Sequence, residues 1–239
     1  MTVSIMQPYF LAYLGYFQLI NAADRFVVYD TIQYSKQGWM NRNRMLLNGK
    51  DAYFTLPVRK DSDFLYVEKR ELIPDFEKHA SYLHNLFLNA YRKAPFVEET
   101  MAMIDPVLFY PERNLFGFLM HSIETVCRHL DITTPLLKAS DIPADHSRKG
   151  VDRVIDITLA IGGSVYRNPN GAAWMYHPDY FASRGLGLEI LKMDAIAYPQ
   201  FDNTFLPSLS ILDVLMFNGQ EKTKALLSAY TLLETWETR

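Results

Sequence analysis

The chain has a single cysteine, Cys127, among 239 residues, so it can form neither an intrachain disulfide nor a cysteine-based zinc cluster. It has no surplus of positive charge. Its 24 Lys and Arg stand against 27 Asp and Glu, a formal charge of −3, whereas a general nucleic-acid binder needs a basic field. No apolar run approaches the roughly 20 residues of a membrane helix. The opening Met1–Met6 has no basic region followed by a long apolar one. Membrane insertion is therefore not expected, and the expected compartment is the cytoplasm. Walker-type and GxGxxG loops, internal repeats and low-complexity segments are all missing.

What is there suits a globular chain with a substantial core. Hydrophobic residues make up 49% and charged residues 21%. Aromatic residues are plentiful, with 15 Tyr, 15 Phe and 3 Trp, a composition that serves stacking on sugars or bases and serves cores equally.

The stretch from Phe26 to Arg44 organises the rest. Phe26-Val27-Val28-Tyr29 is a β-prone apolar run. After Asp30, the segment Lys36 to Arg44 gathers Lys36, Gln37, Trp39, Asn41, Arg42, Asn43 and Arg44 around one indole. Polar loops at strand ends are where α/β proteins place ligands. A solvated loop closed by local Asp–Arg pairs would show the same spacing.

In chain order, Val3–Met6 reads as a strand, Gln7-Pro8-Tyr9 as a turn, and Gly15 to Ile20 as a helix. With the strand at Arg25–Tyr29 this makes a βαβ unit. Both strands then end on one edge of the sheet, with Gln7 and Tyr9 near Asp30 and Gln33. The Gln-Pro turn also suits a nucleotide-binding turn, but the His-x-x-His or His-x-Gly-His pair of such nucleotidyltransferases is missing.

Asn48-Gly49 predicts a hairpin between Met45–Leu47 and Ala52–Val58, and a short strand is expected at Leu65–Val67. Three helices follow, Asp75–Tyr91, Val97–Phe109 and Asn114–Leu130. Cys127 falls in the apolar stripe of the third, where packing is its expected role. His79 lies at the border of the first helix's buried stripe, a common place for a satisfied structural histidine. From Pro135 the α/β pattern resumes, with a strand at Leu136-Leu137, a polar loop Ser140–Lys149 and a helix Val151–Ile161. A strand Ser164–Tyr166 then ends in Arg167-Asn168-Pro169-Asn170-Gly171. A helix at Pro178–Ser183, a strand at Leu188–Leu191 and a helix at Ser208–Phe217 complete the pattern. Asp213 inside that last apolar helix must be paired with a loop arginine or face a site. Glu221–Arg239 reads as an amphipathic helix and tail.

The expected fold is α/β, a mostly parallel, Rossmann-like sheet with a hairpin and a helical insert. The chain reads as one domain, 1–239, with α/β portions 1–70 and 135–220 and an insert at about 75–130.

Several segments resemble the WbqC-like proteins of bacterial O-antigen and surface-polysaccharide clusters. They include Met6-Gln7-Pro8-Tyr9, Gly15 to Ile20, Phe26 to Asp30 with Gln33-Tyr34, and Gly38-Trp39-Met40-Asn41-Arg42-Asn43-Arg44. Later come Lys78-His79, Tyr91 with Lys93-Ala94-Pro95, Asn168-Pro169 with Gly171, and Leu209 to Gly219. The chain departs from that pattern at Ala12, Thr31 and Ala172. Thr31 stands where a second acid is usual, which argues against a metal-binding acid pair.

The resemblance implies modification of an amino sugar in surface-polysaccharide biosynthesis. The expected reaction is transfer of an acyl or aminoacyl group to a nucleotide-linked amino sugar, forming an amide. The donor would be an activated thioester, carried by an acyl or peptidyl carrier protein. No cofactor and no metal are assigned, and no nucleic acid is expected as a partner. His79 is the candidate base, and Asp30 would orient it or bind a sugar hydroxyl. Arg42 and Arg44 would hold phosphates, and Trp39 would stack on a ring. Gln7, Tyr9, Gln33, Lys36, Asn41, Asn43, Asn168 and Asp213 complete the candidate binding set. A sugar- or carrier-binding accessory protein without catalysis is the main alternative, and a nucleotidyl- or glycosyltransferase the second.

Overall fold

The computed structural model describes residues 1–233. The element order opens with strand β1 (Thr2–Met6), helix α1 (Leu14–Asn21) and strand β2 (Arg25–Val28), the βαβ unit expected from the sequence. A hairpin follows, β3 (Arg42–Leu47) and β4 (Lys50–Thr55). Its turn puts Asn48 at φ 51° and Gly49 at φ 77°. Positive φ at both central residues is the twist that joins two antiparallel strands tightly.

Three helices come next, α2 (Phe76–Tyr91), α3 (Val97–Leu108) and α4 (Leu115–His129). Phe76, Ala80, Leu83, Phe87 and Tyr91 of α2 are buried, as their helical spacing requires. Asn114 caps α4, its side chain accepting from the Gly117 amide at 3.0 Å. Cys127 is buried on the inner face of α4, and burial pushes its thiol up to about 12, which leaves it a packing group.

The chain then returns to the sheet with β5 (Leu136–Lys138), α5 (Gly150–Ala160), β6 (Val165–Pro169), α6 (Pro178–Ser183), β7 (Gly187–Met193), α7 (Ile211–Leu226) and β8 (Tyr230–Leu233). The sheet has six strands in the order β5-β2-β1-β6-β7-β8. Every neighbouring pair is parallel except β7–β8. Successive residues face opposite layers. Val3, Ile5, Val27, Tyr166 and Ile190 pack with α5 and α6, while Phe26, Val28 and Leu191 join a larger core shared with α1, α7, the hairpin and α2–α4. Cover on both faces is what a parallel sheet needs, and it explains the unbroken apolar runs in its strands.

Three expectations are corrected. Leu65–Val67 forms no strand. Tyr66 makes an isolated bridge with Gln33 and a short 3-10 turn follows at Val67–Lys69. The helix expected at Ser208–Phe217 does not end there but only breaks, because Gly219 takes φ 67° and the chain resumes helix to Leu226. A Cβ there would lie 2.6 Å from the Phe96 ring, so both backbone and space call for glycine. The amphipathic helix expected from Glu221 gives way at Tyr230 to β8, an antiparallel edge strand, and residues 234–239 lie outside the described residues. No helix among the described residues is long and apolar enough to cross a membrane.

Candidate functional site

Strand order reverses at β1. Its neighbour β2 follows it through α1 on one face, whereas its other neighbour, β6, is preceded by α5 on the opposite face. In such sheets the crevice outside the carboxyl ends at the reversal is the natural ligand site. Val3 is level with Tyr166, so Gln7 at the end of β1 lies level with the Asn170 turn that follows β6. The Gln7 carboxamide makes no hydrogen bond among the described residues, although its carbonyl accepts from the Tyr16 hydroxyl at 3.0 Å. Burial pushes the nearby Tyr9 phenol up to about 12, with Tyr13 adding to the shift.

A polar cluster stands on the same edge. Tyr29 follows β2, and the Arg153 guanidinium lies 5.2 Å from its ring centroid. Burial pushes the Tyr29 hydroxyl up to about 12, partly countered by Arg153. Arg153 reaches across from α5 to the Thr31 carbonyl at 3.1 Å, to the Thr31 hydroxyl, and to His146 Nδ1 at 3.2 Å. The opposite ring nitrogen of His146 donates to the Ile142 carbonyl at 2.9 Å, which leaves Nδ1 facing the Arg153 guanidinium. Asn168 is buried in β6, accepting from the Tyr166 hydroxyl at 3.0 Å and donating to the Pro169 carbonyl at 2.8 Å.

Asp30 lies deeper. It is fully buried, its Oδ1 accepts the Ser140 amide at 3.0 Å, and its Oδ2 faces Lys138 Nζ at 3.4 Å. The Lys138 side chain is 37% exposed, and its Nζ sits 5.7 Å from the Phe116 ring centroid. A buried carboxylate thus fixes a partly exposed cationic side chain at the end of β5. Beside it, Gln33 and Lys36 line a surface depression of about 430 Å³ with Tyr34 and Asp63. Gln33 donates to the Asp63 carbonyl at 2.7 Å, and Lys36 pairs with the Asp63 carboxylate at 2.6 Å.

The Asn-Arg-Asn-Arg run divides by strand alternation. Asn41 and Asn43 point inward, Asn41 donating to the Leu56 carbonyl at 2.8 Å and Asn43 to the carbonyls of Phe10 and Leu11 at 3.2 and 2.9 Å. With the Phe10 amide on the Met40 carbonyl at 2.9 Å, they stitch the turn after β1 to the hairpin. Arg42 and Arg44 point outward with Tyr53. Their guanidiniums stand 5.8 and 5.9 Å from the Trp39 ring, and Trp39 stacks on Tyr53 at 6.0 Å. Arg42 donates from Nε and Nη2 to the Gly38 and Gln37 carbonyls, while its Nη1 makes no hydrogen bond among the described residues. Arg44 is held by Asp51 and the Ser208 carbonyl, both at 3.2 Å.

His79 meets the far end of this hairpin. Its Nε2 lies 2.8 Å from the carbonyl of Thr55, the residue paired with Arg42. A carbonyl only accepts, so Nε2 carries a proton and donates to it. Asp213 stands apart. It faces neither a loop arginine nor solvent, and its fully buried carboxylate accepts from Tyr91 (2.8 Å), Tyr198 (2.8 Å) and Gln200 (2.7 Å). The structure therefore joins Gln7, Tyr9, Asp30, Gln33 and Lys36 along the sheet edge. It gathers Trp39, Arg42, Arg44 and His79 around the hairpin, and it holds Asn41, Asn43, Asn168 and Asp213 in internal bonds.

Sequence reasoning gave no role to Tyr29, Lys138, His146 or Arg153. His146 stood out only as part of the polar loop Ser140–Lys149; Arg153 sits inside a helix, and nothing in its spacing marks a partner in Thr31. No group of three or more His, Cys, Asp or Glu is placed to hold a metal ion among the described residues.

No solved structure matches the chain. Among curated proteins, the uncharacterized protein Rv1507c of Mycobacterium tuberculosis is 26% identical over 220 residues, covering 92% of this chain and 94% of that protein. A sequence model of the WbqC-like protein family matches residues 7–225, a span from the Gln7 turn to the end of α7. That span contains every candidate residue from Gln7 to Asp213, and the chain belongs to the WbqC-like protein family.

Proposed function

We propose that the chain is a transferase of surface-polysaccharide biosynthesis that forms an amide on a nucleotide-linked amino sugar. The observation that carries this reading is the strand reversal at β1, where Gln7 and Tyr29 offer polar groups without hydrogen bonds among the described residues, beside the Arg153 cation. An amino sugar needs neutral recognition groups for its hydroxyls and a cation for its diphosphate. The Trp39–Tyr53 stack with Arg42 adds an aromatic, cationic face for a ring and a phosphate.

The donor is an acyl or aminoacyl thioester, presented by an acyl or peptidyl carrier protein. His79 Nδ1 removes one proton from the sugar ammonium, and the freed amine adds to the thioester carbonyl. The C–S bond breaks, and the thiolate leaves as a thiol with the second proton lost from nitrogen. Asp30, being buried, acts as a positioning residue that fixes Lys138, and in this reading the Lys138 ammonium stabilises the oxyanion. The protein works in the cytoplasm, where nucleotide sugars are made.

A non-catalytic, sugar-binding role is favoured by one feature, the open setting of Trp39 and Tyr53, 38% and 57% exposed. The test is direct. A UDP-linked amino sugar should raise the melting temperature, and adding an acyl thioester should raise the sugar's mass by the acyl group. Stabilisation without mass gain selects the accessory role; neither effect rejects both.

A further inference from the structure

A groove of about 630 Å³ lies away from the sheet edge, between the exposed face of α2, the hairpin turn and the loop at Phe201. Its volume is that of a small-molecule site. Arg92 and Lys93 stand at one end, and Asn85 and Asn89 follow on the same helix face. None of these four side chains makes a hydrogen bond or ion pair among the described residues. Asp202 is the one acid in the lining, so the charge in the groove is positive. Helix-end cations can simply complement the helix dipole, but that role needs neither a groove nor a row of uncommitted amides.

The walls are fixed from beneath by the buried Asp213 network, which the sheet-edge reading does not use. Asp213 binds Tyr91 beside Arg92 and Gln200 beside Phe201, and Tyr91 binds the Leu46 amide beside the hairpin turn. Two of the three walls are thus one residue from a partner of the carboxylate, and the hairpin wall is one residue from a partner of Tyr91. The hairpin turn also closes on the loop, since a Cβ at Gly49 would lie 2.6 Å from Asn203 Oδ1. Phe201 holds φ 53°, a costly conformation for an aromatic residue, and sets its ring in the lining.

We propose that this groove binds a small hydroxylated phosphate ester of the size of a hexose phosphate. Arg92 and Lys93 take the phosphate, Asn85 and Asn89 take ring hydroxyls, and Phe201 packs on the sugar face. The rise along α2 from Asn85 to Arg92 is about 10 Å, which matches the length of such a molecule.

Calorimetric titration of the full chain with glucose 1-phosphate, inorganic phosphate and glucose tests this. Glucose 1-phosphate should bind more tightly than either part alone. The double variant Arg92→Ala/Lys93→Ala should weaken it at least about tenfold. Asn85→Ala/Asn89→Ala should reduce it toward the phosphate value while phosphate binding stays the same. Asn89→Asp, which adds a negative charge at a surface position, should weaken it as well and covers a misfolded double variant. Arg42→Ala should change nothing, which separates this groove from the Trp39–Arg42 face of the hairpin. Absence of saturable binding, equal binding by the Arg92/Lys93 variant, or loss in Arg42→Ala would each overturn the proposal.

Discussion

The hydroxyl of Tyr91 donates to Asp213 Oδ2 at 2.8 Å and accepts the amide proton of Leu46 at 2.9 Å. One phenol thereby ties α2, β3 and α7 through a bond chain with no cation in it. Burial raises the Asp213 carboxyl above its ordinary range, and the hydrogen bonds from Tyr198, Gln200 and Tyr91 only partly offset it.

Tyr91→Phe should therefore destabilise the fold by about 1–3 kcal/mol, because it orphans both the Leu46 amide and one carboxylate oxygen. Asp213→Asn should cost a similar ~1–3 kcal/mol, since its NH₂ meets a site filled with donors. Urea unfolding of the two variants and their combination checks this, and the double variant should fall short of the sum.

Stability should also decline with pH in two windows. Asp213 binds its proton more tightly folded than unfolded, so it favours the fold fully below the ordinary carboxylate value and loses that contribution as pH rises through its raised folded value. Asp213→Asn should flatten this acid-side slope. Tyr9 and Tyr29 are pushed up to about 12 by burial, and burial raises Tyr16 and Tyr166 in the same direction. The unfolded chain ionises first, so stability falls again above about pH 10. Phenolate absorbance of these tyrosines should rise together with loss of helical circular dichroism, and phenolate formation in a still-folded chain would contradict the burial.

Neighbours on β3 should separate by strand face. Asn43→Ala removes the donor to two buried carbonyls and should cost about 1–3 kcal/mol in folding. Arg42→Ala should leave the melting temperature nearly unchanged and weaken a nucleotide sugar by about 1–3 kcal/mol. Paired thermal-shift and binding measurements on the two variants read the split. An unchanged affinity in Arg42→Ala would deny Arg42 any part in binding, and equal folding losses would contradict the split by strand face.

The opening βαβ unit, the hairpin and α2–α4 were legible because their signals are local. Apolar runs, the Asn48-Gly49 turn and the stripe from Phe76 to Tyr91 need no distant partner. The edge strand β8 was not legible, since Tyr230-Thr231-Leu232-Leu233 pairs with β7 only in three dimensions. The same holds at the candidate site. The Asn-Arg-Asn-Arg block stood out by composition, but the division into inward asparagines and outward arginines follows from register. His84, without a visible partner in sequence, finds Asp105 on α3 at 2.7 Å. Asp213 needed a partner, as its apolar surroundings implied, yet three neutral donors rather than an arginine supply it.

The most direct test of the central claim is a chemical-shift map of the isotope-labelled chain during titration with a UDP-linked amino sugar. The sheet-edge account predicts shifts concentrated at Gln7, Tyr9, Tyr29 and Asn170, with the Trp39 indole and the Arg42 side chain moving in the same titration. Shifts absent from all of these, or confined to residues away from the strand ends and the hairpin, would contradict it.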